Sequence, residues 1–500
     1  MTAQTNSHIK EGKAVINKTT NVFYNPAQMI NRDLSVLVMN EHKGKTILDA
    51  LSATGLRAIR YHKELDNVQV VANDVDVDAI KMIKDNLKLN DISEIKNMDK
   101  LRDVLKEYEI ENTDMNELLN KEQSPNGIEI THQDAANISR QFDIIDLDPY
   151  GTASPFIESA VKNIKKGGLL CITCTDMQTL AGGKAPESNF MKYSGMGSHS
   201  DFSHEHALRL VLKSVTDSAS RYKKAIVPLL CVSIDFYIRL FVRVESSAVL
   251  AKDACANTGL CFLCTRCKWY AFQPFATKNV KCKYFPATLS VSKECPECEH
   301  DLQISGPVYL GPIHDKPFIN NLVTELNNKE SKLKFDPVIS KRILGILTAL
   351  TEEVDAPLYL RMKGLGKVWR GQMPKTIKVR NAIFNAGYNA SPSHIGGDCI
   401  KTDMPLSKVY DIYRAFFKSI DFQPQPETLS FKLMQKSVDW EVSFAHHASA
   451  LVDKKHPRYM HTSNAPLSKP KKRDLEDQTE EALKTKIPKI EEEQIKNEEQ

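Results

Sequence analysis

Short apolar runs alternate with amphipathic stretches over the first 245 residues, a pattern that predicts strands joined by helices. Residues 46–49 and 68–72 read as two such strands with a loop and a helix between them. Residues 128–131, 142–147, 169–173 and the 227–242 region add further strands, enough for one doubly wound, parallel α/β sheet. The polar, acid-rich stretch between Asp91 and Gly127 has helical character and reads as a surface insertion. From Asn257 the texture shifts to clustered Cys, aromatic and Lys residues, marking a second unit that ends near Leu302. Residues 320–419 then suggest several helices, with 374–387 helical and a turn at Gly396-Gly397, the outline of a helix-plus-hairpin nucleic-acid module. After Lys469 the chain is Lys, Glu and Gln almost without aromatics, which predicts disorder.

Composition bounds the function. A chain of 500 residues, 41% hydrophobic and 26% charged, is an ordinary globular protein of about two to four domains. Neither an apolar run long enough to span a bilayer nor an apolar signal core at the N-terminus is present. Eleven cysteines without such a signal point to a reducing compartment, where thiols serve as metal ligands or core residues. The net charge of +4 conceals an asymmetry: residues 251–460 hold 29 Lys and Arg against 20 Asp and Glu, so an anionic partner belongs on that half.

The strand Ile47-Leu-Asp49 ends in an acid, and Ser52-Ala-Thr54-Gly55-Leu-Arg57 then opens a helix. Small residues here let the backbone approach a ligand at the strand's carboxyl end. A dinucleotide site needs three spaced glycines and this loop has only Gly55, so a dehydrogenase is disfavoured. Asp74 closes the second strand, where a carboxylate accepts from both ribose hydroxyls, and Asp134 follows the third, bordering an adenine in the same crevice. Any one of these acids alone reads as a helix cap or turn residue; three at successive strand ends shift the balance toward a ligand site.

The next strand ends in Asp148-Pro149-Tyr150-Gly151, with Asp146 on the same strand face. An exocyclic purine amino group donates its lone pair into the ring and becomes nucleophilic only when acceptors hold its hydrogens out of plane. A carboxylate and a backbone carbonyl supply those acceptors, Pro149 fixes the backbone, and Tyr150 can stack on an extruded base. Asp148 is also placed to take the departing proton.

These segments, with Phe23-Tyr-Asn-Pro26, Asn31-Arg32-Asp33, Asn73-Asp74, Asp134-Ala135 and the stretch from Asp176 to Gly183, resemble the tRNA guanosine-26 N2-dimethyltransferases. The resemblance runs from about Lys10 to Pro405 and implies an S-adenosylmethionine-dependent, Rossmann-like class I methyltransferase domain followed by a family-specific α+β C-terminal domain with a zinc-binding insertion. It implies residues 1–248 as the catalytic domain, 249–465 as the tRNA-binding domain and 466–500 as a disordered charged tail. It further implies that Arg32 and Arg57 meet the methionine carboxylate, Asp74 the ribose, and Asp134 and Ala135 the adenine, with Asp148 as the catalytic acid. The loop Asn389-Ala-Ser-Pro-Ser-His394 departs from the family pattern, which removes any ready role for His394.

Cys264-x2-Cys267 and Cys295-x2-Cys298 form two knuckles, the four thiolates that structural tetrahedral zinc requires. Their 27-residue spacer is long, and Cys261 and Cys282 stand as alternative ligands in a zinc unit of about residues 257–302. Arg361, Lys363, Lys367, Arg370, Lys375, Lys378 and Arg380 occur in twenty residues without an acid, a phosphate-tracking stripe with Trp369 as a stacking ring. His204-Glu205-His206 lacks the zincin spacing and reads as helix-start surface, and His446-His447 as ordinary exposure. Lys469-Pro-Lys-Lys-Arg473 suits a nuclear import signal, with mitochondrial or cytoplasmic residence left open, as is the oligomeric state. Two rivals accompany the tRNA dimethyltransferase: an amino-group methyltransferase acting on adenine or a protein amide, and a zinc-containing RNA-binding protein with a vestigial methylase site.

Overall fold

The computed structural model describes residues 8–18, 24–95, 126–182 and 185–451. The strands of the N-terminal half are β1 (His8–Glu11), β2 (Ala14–Asn17), β3 (Thr46–Asp49), β4 (Gln69–Asp74), β5 (Ser93–Ile95), β6 (Gly127–His132), β7 (Phe142–Leu147), β8 (Ile164–Cys174), β9 (Ala225–Ile234) and β10 (Tyr237–Glu245). Eight of them, β3 to β10, form one sheet in the order β5-β6-β4-β3-β7-β8-β10-β9, parallel through β8 and closed by the antiparallel hairpin β9–β10.

Alternate side chains of each strand enter different cores. Ile47, Val70 and Ile144 face the helices Met29–His42, Leu56–Glu64 and Val77–Leu89, while Leu48, Val71 and Ile145 face Ser154–Asn163 and Ser203–Arg221. Both faces are covered, which is why these strands read as near-continuous apolar runs. The strand order reverses beside β3, with β4 on one flank and β7 on the other, and ligands bind at the carboxyl ends of strands at such a reversal.

The 227–242 region resolves into β9 and β10, turned through Asp235 at φ +51°. The expected insertion begins instead with edge strand β5; residues 96–125 lie outside the described residues, as does the tail from 452 onward. The Cys-rich unit does not stop at Leu302. Its core sheet joins β11 (Thr258–Leu263) and β12 (Tyr270–Pro274), and after the small hairpin β13 (Ala276–Lys278) with β14 (Tyr284–Pro286) it closes through β15 (Gln303–Tyr309), antiparallel to β11.

Nor do residues past 248 keep to a separate core. Helices Lys316–Asn327 and Pro337–Glu352 bury Leu322, Leu347 and Leu350 in the same cluster as Leu34 and Leu37 of the N-terminal half. The remainder packs helices Met362–Trp369, Thr376–Asn385 and Leu406–Ser419 against the sheet β16 (Leu360–Arg361), β18 (Gly396–Thr402), β17 (Ala390–Ser393). Ser393 pairs with Gly396, so the hairpin turns at His394-Ile395 and the glycines begin β18.

Two sequence-based expectations are corrected here. Glu205 and His206 begin the helix Ser203–Arg221 as expected, but they are buried rather than on the surface: Glu205 binds Arg209, Lys401 and the Leu358 N–H, while His206 meets Ser305. Trp369 is no stacking platform, because it lies fully buried against Tyr413 and Phe417.

Candidate active site

Strand ends define the crevice. Asn73, at the end of β4, donates its amide to the carbonyls of Ala50 (3.0 Å) and Gln133 (2.9 Å) and accepts from Thr131 Oγ1 (2.8 Å), tying the loops after β3, β4 and β6 together. Beyond β3 the chain turns through Ala53 (φ +48°) and Gly55 (φ +77°) into the helix Leu56–Glu64. A Cβ at Gly55 would sit 3.3 Å from Ile83 on a left-handed backbone, which glycine tolerates best. The Asp74 carboxylate accepts from Ala53 N (2.8 Å) and Asp76 N (3.0 Å), holding the loop after β3 against the end of β4. Asp134 is exposed and accepts from Ala136 N (2.9 Å), with Ala135 buried beside it. Thr54 is buried, and its carbonyl accepts from Asn86 (2.8 Å).

Beneath these loops lies a buried charge cluster. Asp49 and Asp146 are register partners at the ends of β3 and β7, and Asp148 stands two residues beyond Asp146. Arg57 donates through Nε to Asp148 Oδ2 (2.8 Å), with Nη2 at 2.6 Å from the same oxygen. Arg239 pairs with Asp146 (2.8 Å) and donates to Thr173 and Ser35 (both 2.8 Å), while Tyr61 donates to Asp146 (2.5 Å). Burial by itself pushes the Asp148 carboxyl up, but the guanidiniums of Arg57 and Arg239 hold it below the usual range. Three carboxylates therefore share two guanidiniums. Asp49 is left over: both its oxygens are buried without a hydrogen-bond partner, and burial, then the neighbouring Asp146, push it up to about 7.

The rim follows from Asp148-Pro149-Tyr150-Gly151. Gly151 adopts φ +90°, and its N–H donates to Thr175 Oγ1 (2.9 Å), so Tyr150 is left standing 72% exposed over the crevice. Thr152 meets Tyr193 (2.7 Å), whose hydroxyl donates to Asp176 (3.0 Å). Arg57 is thus paired with Asp148. Arg32 likewise is engaged by Glu11, at 2.6 Å through both Nε and Nη2.

The four predicted zinc ligands do converge. Cys264, Cys267, Cys295 and Cys298 are buried with all sulfurs within 4.8 Å of one another, whereas Cys261 sits in β11 and Cys282 is exposed, both outside the group. Tyr410 donates to the Cys267 carbonyl and Arg414 pairs with Glu297, binding the knuckles to the helix Leu406–Ser419.

Of the cationic stripe, Lys363, Lys367, Arg370, Lys375 and Lys378 are exposed and Arg361 is half-buried near Asp398 (3.8 Å). Arg380 is buried, so it does not belong to that surface. His394 finds a structural place: it and His314 lie 3.1 and 3.5 Å from Glu353, between the two halves of the chain. Ser233 N and Cys231 N point at the far nitrogens of these rings (3.4 and 3.5 Å). Backbone N–H groups aimed at both rings, and the Glu353 carboxylate that the rings share, make the trio a tie between segments distant in sequence.

Residues 3–414 match the family described as N2,N2-dimethylguanosine tRNA methyltransferase. The chain is 33% identical to the tRNA (guanine(26)-N(2))-dimethyltransferase of Caenorhabditis elegans, over 89% of this chain and 88% of that one. It is 32% identical to that of Schizosaccharomyces pombe over 95% and 94%, and 33% identical to the mitochondrial one of Saccharomyces cerevisiae over 86% and 83%. Among solved structures, Trm1 of Pyrococcus horikoshii in complex with S-adenosyl-L-methionine superposes with a TM-score of 0.66 at 26% identity, over 81% of this chain and 99% of that one.

Proposed function

The chain belongs to the N2,N2-dimethylguanosine tRNA methyltransferase family and methylates N2 of a tRNA guanosine with S-adenosyl-L-methionine; from that premise we propose how its residues do so. The observation that carries the reading is Asp148, held by Arg57 at the carboxyl end of β7 beside the crevice.

The residues present fit the cofactor. Asp74 accepts from Ala53 N beside Thr54-Gly55 and Asp134 follows the neighbouring strand β6, positions suited to ribose and adenine, and exposed Val75 and Val77 offer apolar surface beside Asp74. The buried cluster is short of one positive charge at Asp49, and the cofactor's sulfonium is a cation. When bound, it supplies an electrophilic methyl group on a sulfonium sulfur.

Asp148 Oδ2 faces Arg57, whereas Oδ1, buried in the absence of the base, is the acceptor for an amino hydrogen of guanine once the base enters the crevice. Paired with the local backbone carbonyls, it orients the N2 lone pair outward, so catalysis rests mainly on proximity and orientation. The nitrogen becomes cationic as its bond to the methyl carbon forms, and it then sheds one proton. Asp148 need only be a weak base for that transfer, which its lowered pKa allows. Tyr150 stacks on the base.

The four-cysteine group holds structural zinc, a role supported by four buried thiols that converge within 4.8 Å of one another. Lys363, Lys367, Arg370, Lys375 and Lys378 carry tRNA phosphates, supported by their accessibility on the basic half. Lys469–Arg473, outside the described residues, acts as a nuclear address on its cation density.

Asp148→Asn tests the mechanism. We expect dimethylguanosine formation, read by nucleoside mass analysis of a transcript, to fall at least about 100-fold while cofactor and tRNA affinities hold. Full turnover by this variant would remove Asp148 from the chemistry.

A further inference from the structure

The helix Pro186–Tyr193 joins the catalytic rim through its inward face. Asn189 and Tyr193 are buried on that face, Asn189 donating to the Thr179 carbonyl (2.9 Å) and Tyr193 meeting Thr152 and Asp176. Ser154 Oγ donates to the Lys192 carbonyl, so the helix is bonded at two points to the loop that follows Asp148-Pro149-Tyr150-Gly151. At 3.6 residues per turn, positions 190 and 191 fall away from the 189/193 face. They are large and apolar: Phe190 is 57% exposed and Met191 83%. Isolated exposed apolar residues are commonplace. Here two are adjacent, on an element anchored to the active-site loop, with the exposed Tyr150 ring on that same loop.

A guanine whose amino group pairs within a stem cannot reach Asp148 without leaving the stack, and apolar side chains that enter a stack compensate part of the unstacking cost. We infer that Phe190 and Met191 are a wedge that occupies the helical gap vacated by the target guanosine, so that they position the base without touching the reacting atoms. This inference rests on the tRNA reading above.

The experiment compares Phe190→Ala and Met191→Ala with wild type on two full-length transcripts, one with the target guanosine base-paired and one with it mismatched. A wedge role predicts a fall in kcat/KM of about tenfold or more on the paired transcript and less than about threefold on the mismatched one, because a base already unpaired needs less help to leave. Cofactor affinity should stay unchanged, and Phe190→Leu and Met191→Leu should recover most of the activity, which separates wedging from misfolding. Equal losses on both transcripts, or no loss on either, overturn the inference. Wild-type dimethylation of the mismatched transcript, followed in the same assay, reports independently on the underlying reading.

Discussion

At the scale of single residues, Asp49 holds the sharpest expectation. Its carboxyl is buried without a partner and pushed up to about 7, so the cofactor-free protein carries a proton there below neutrality. A cation bound alongside favours the carboxylate and expels that proton. Affinity for S-adenosyl-L-methionine should therefore rise as pH climbs through 7, with proton release visible by calorimetry in buffers of different ionisation enthalpy. Asp49→Asn should weaken binding and flatten this dependence. It should also raise the melting temperature of the ligand-free protein at pH 8: a raised carboxyl pKa means that folding forces ionisation of a buried group above the folded value, a cost absent below 3.8. Asp148 is the contrasting acid, since the same burial is overridden by two guanidiniums. Sequence marked both acids by their place at strand ends. It did not mark Arg239, which presents the second guanidinium, although a lone cation inside the apolar run Tyr237-Ile-Arg-Leu-Phe-Val was a visible signal.

At the scale of elements, the Cys knuckles and the C-terminal helices form one packed body. Cys264, Cys267, Cys295 and Cys298 share a core with Trp369, Tyr410 and Phe417, so metal loss should propagate into the surface that bears the cations. Cys295→Ser is expected to abolish zinc retention, read by plasma mass spectrometry, and to lower the melting temperature and tRNA affinity together, because structural metal binding is folding free energy. A triple Lys367→Ala, Arg370→Ala, Lys375→Ala variant should behave differently: full zinc, wild-type melting, and a shallower dependence of tRNA affinity on salt, by roughly one to three units of log–log slope. Arg380→Ala should leave that slope alone, since its side chain is buried. Residue spacing identified the knuckles and the charge run. Which cations face water depended on helix phase, set by packing of Val368, Trp369 and Val379 into the core.

At the scale of the whole molecule, the catalytic and C-terminal halves are locked by buried polar groups. Glu205 binds Arg209 on its own helix and Lys401 on β18, while Glu353 faces His314, His394 and Lys401. His206, on the helix Ser203–Arg221, is buried against β15, and burial lowers its pKa to about 3. The unfolded chain takes up a proton near 6.5 that the folded chain refuses, so this stabilising contribution is complete above 6.5 and is lost as pH falls toward 3. His206→Gln should lose stability less steeply than wild type between pH 6.5 and about 4.5, by up to about 1.4 kcal/mol per pH unit, measured in denaturant melts. His204 and His314 are lowered by burial as well, so the variant should retain part of the acid sensitivity.

The sequence by itself determined the parallel strands through β8, the acids at strand ends, the Asp148-Pro149-Tyr150-Gly151 turn and the two Cys knuckles, because each depends on a local period or spacing: alternation along strands, acids at their ends, pairs of thiols separated by two residues. Only the tertiary structure decided that Arg57 grips Asp148, that Arg32 grips Glu11, that helices Lys316–Asn327 and Pro337–Glu352 return to the catalytic core, and that Glu205 and His206 are buried. Those contacts join residues tens to hundreds of positions apart, and the environment that sets a charge's partner and pKa exists only once the distant segments have packed.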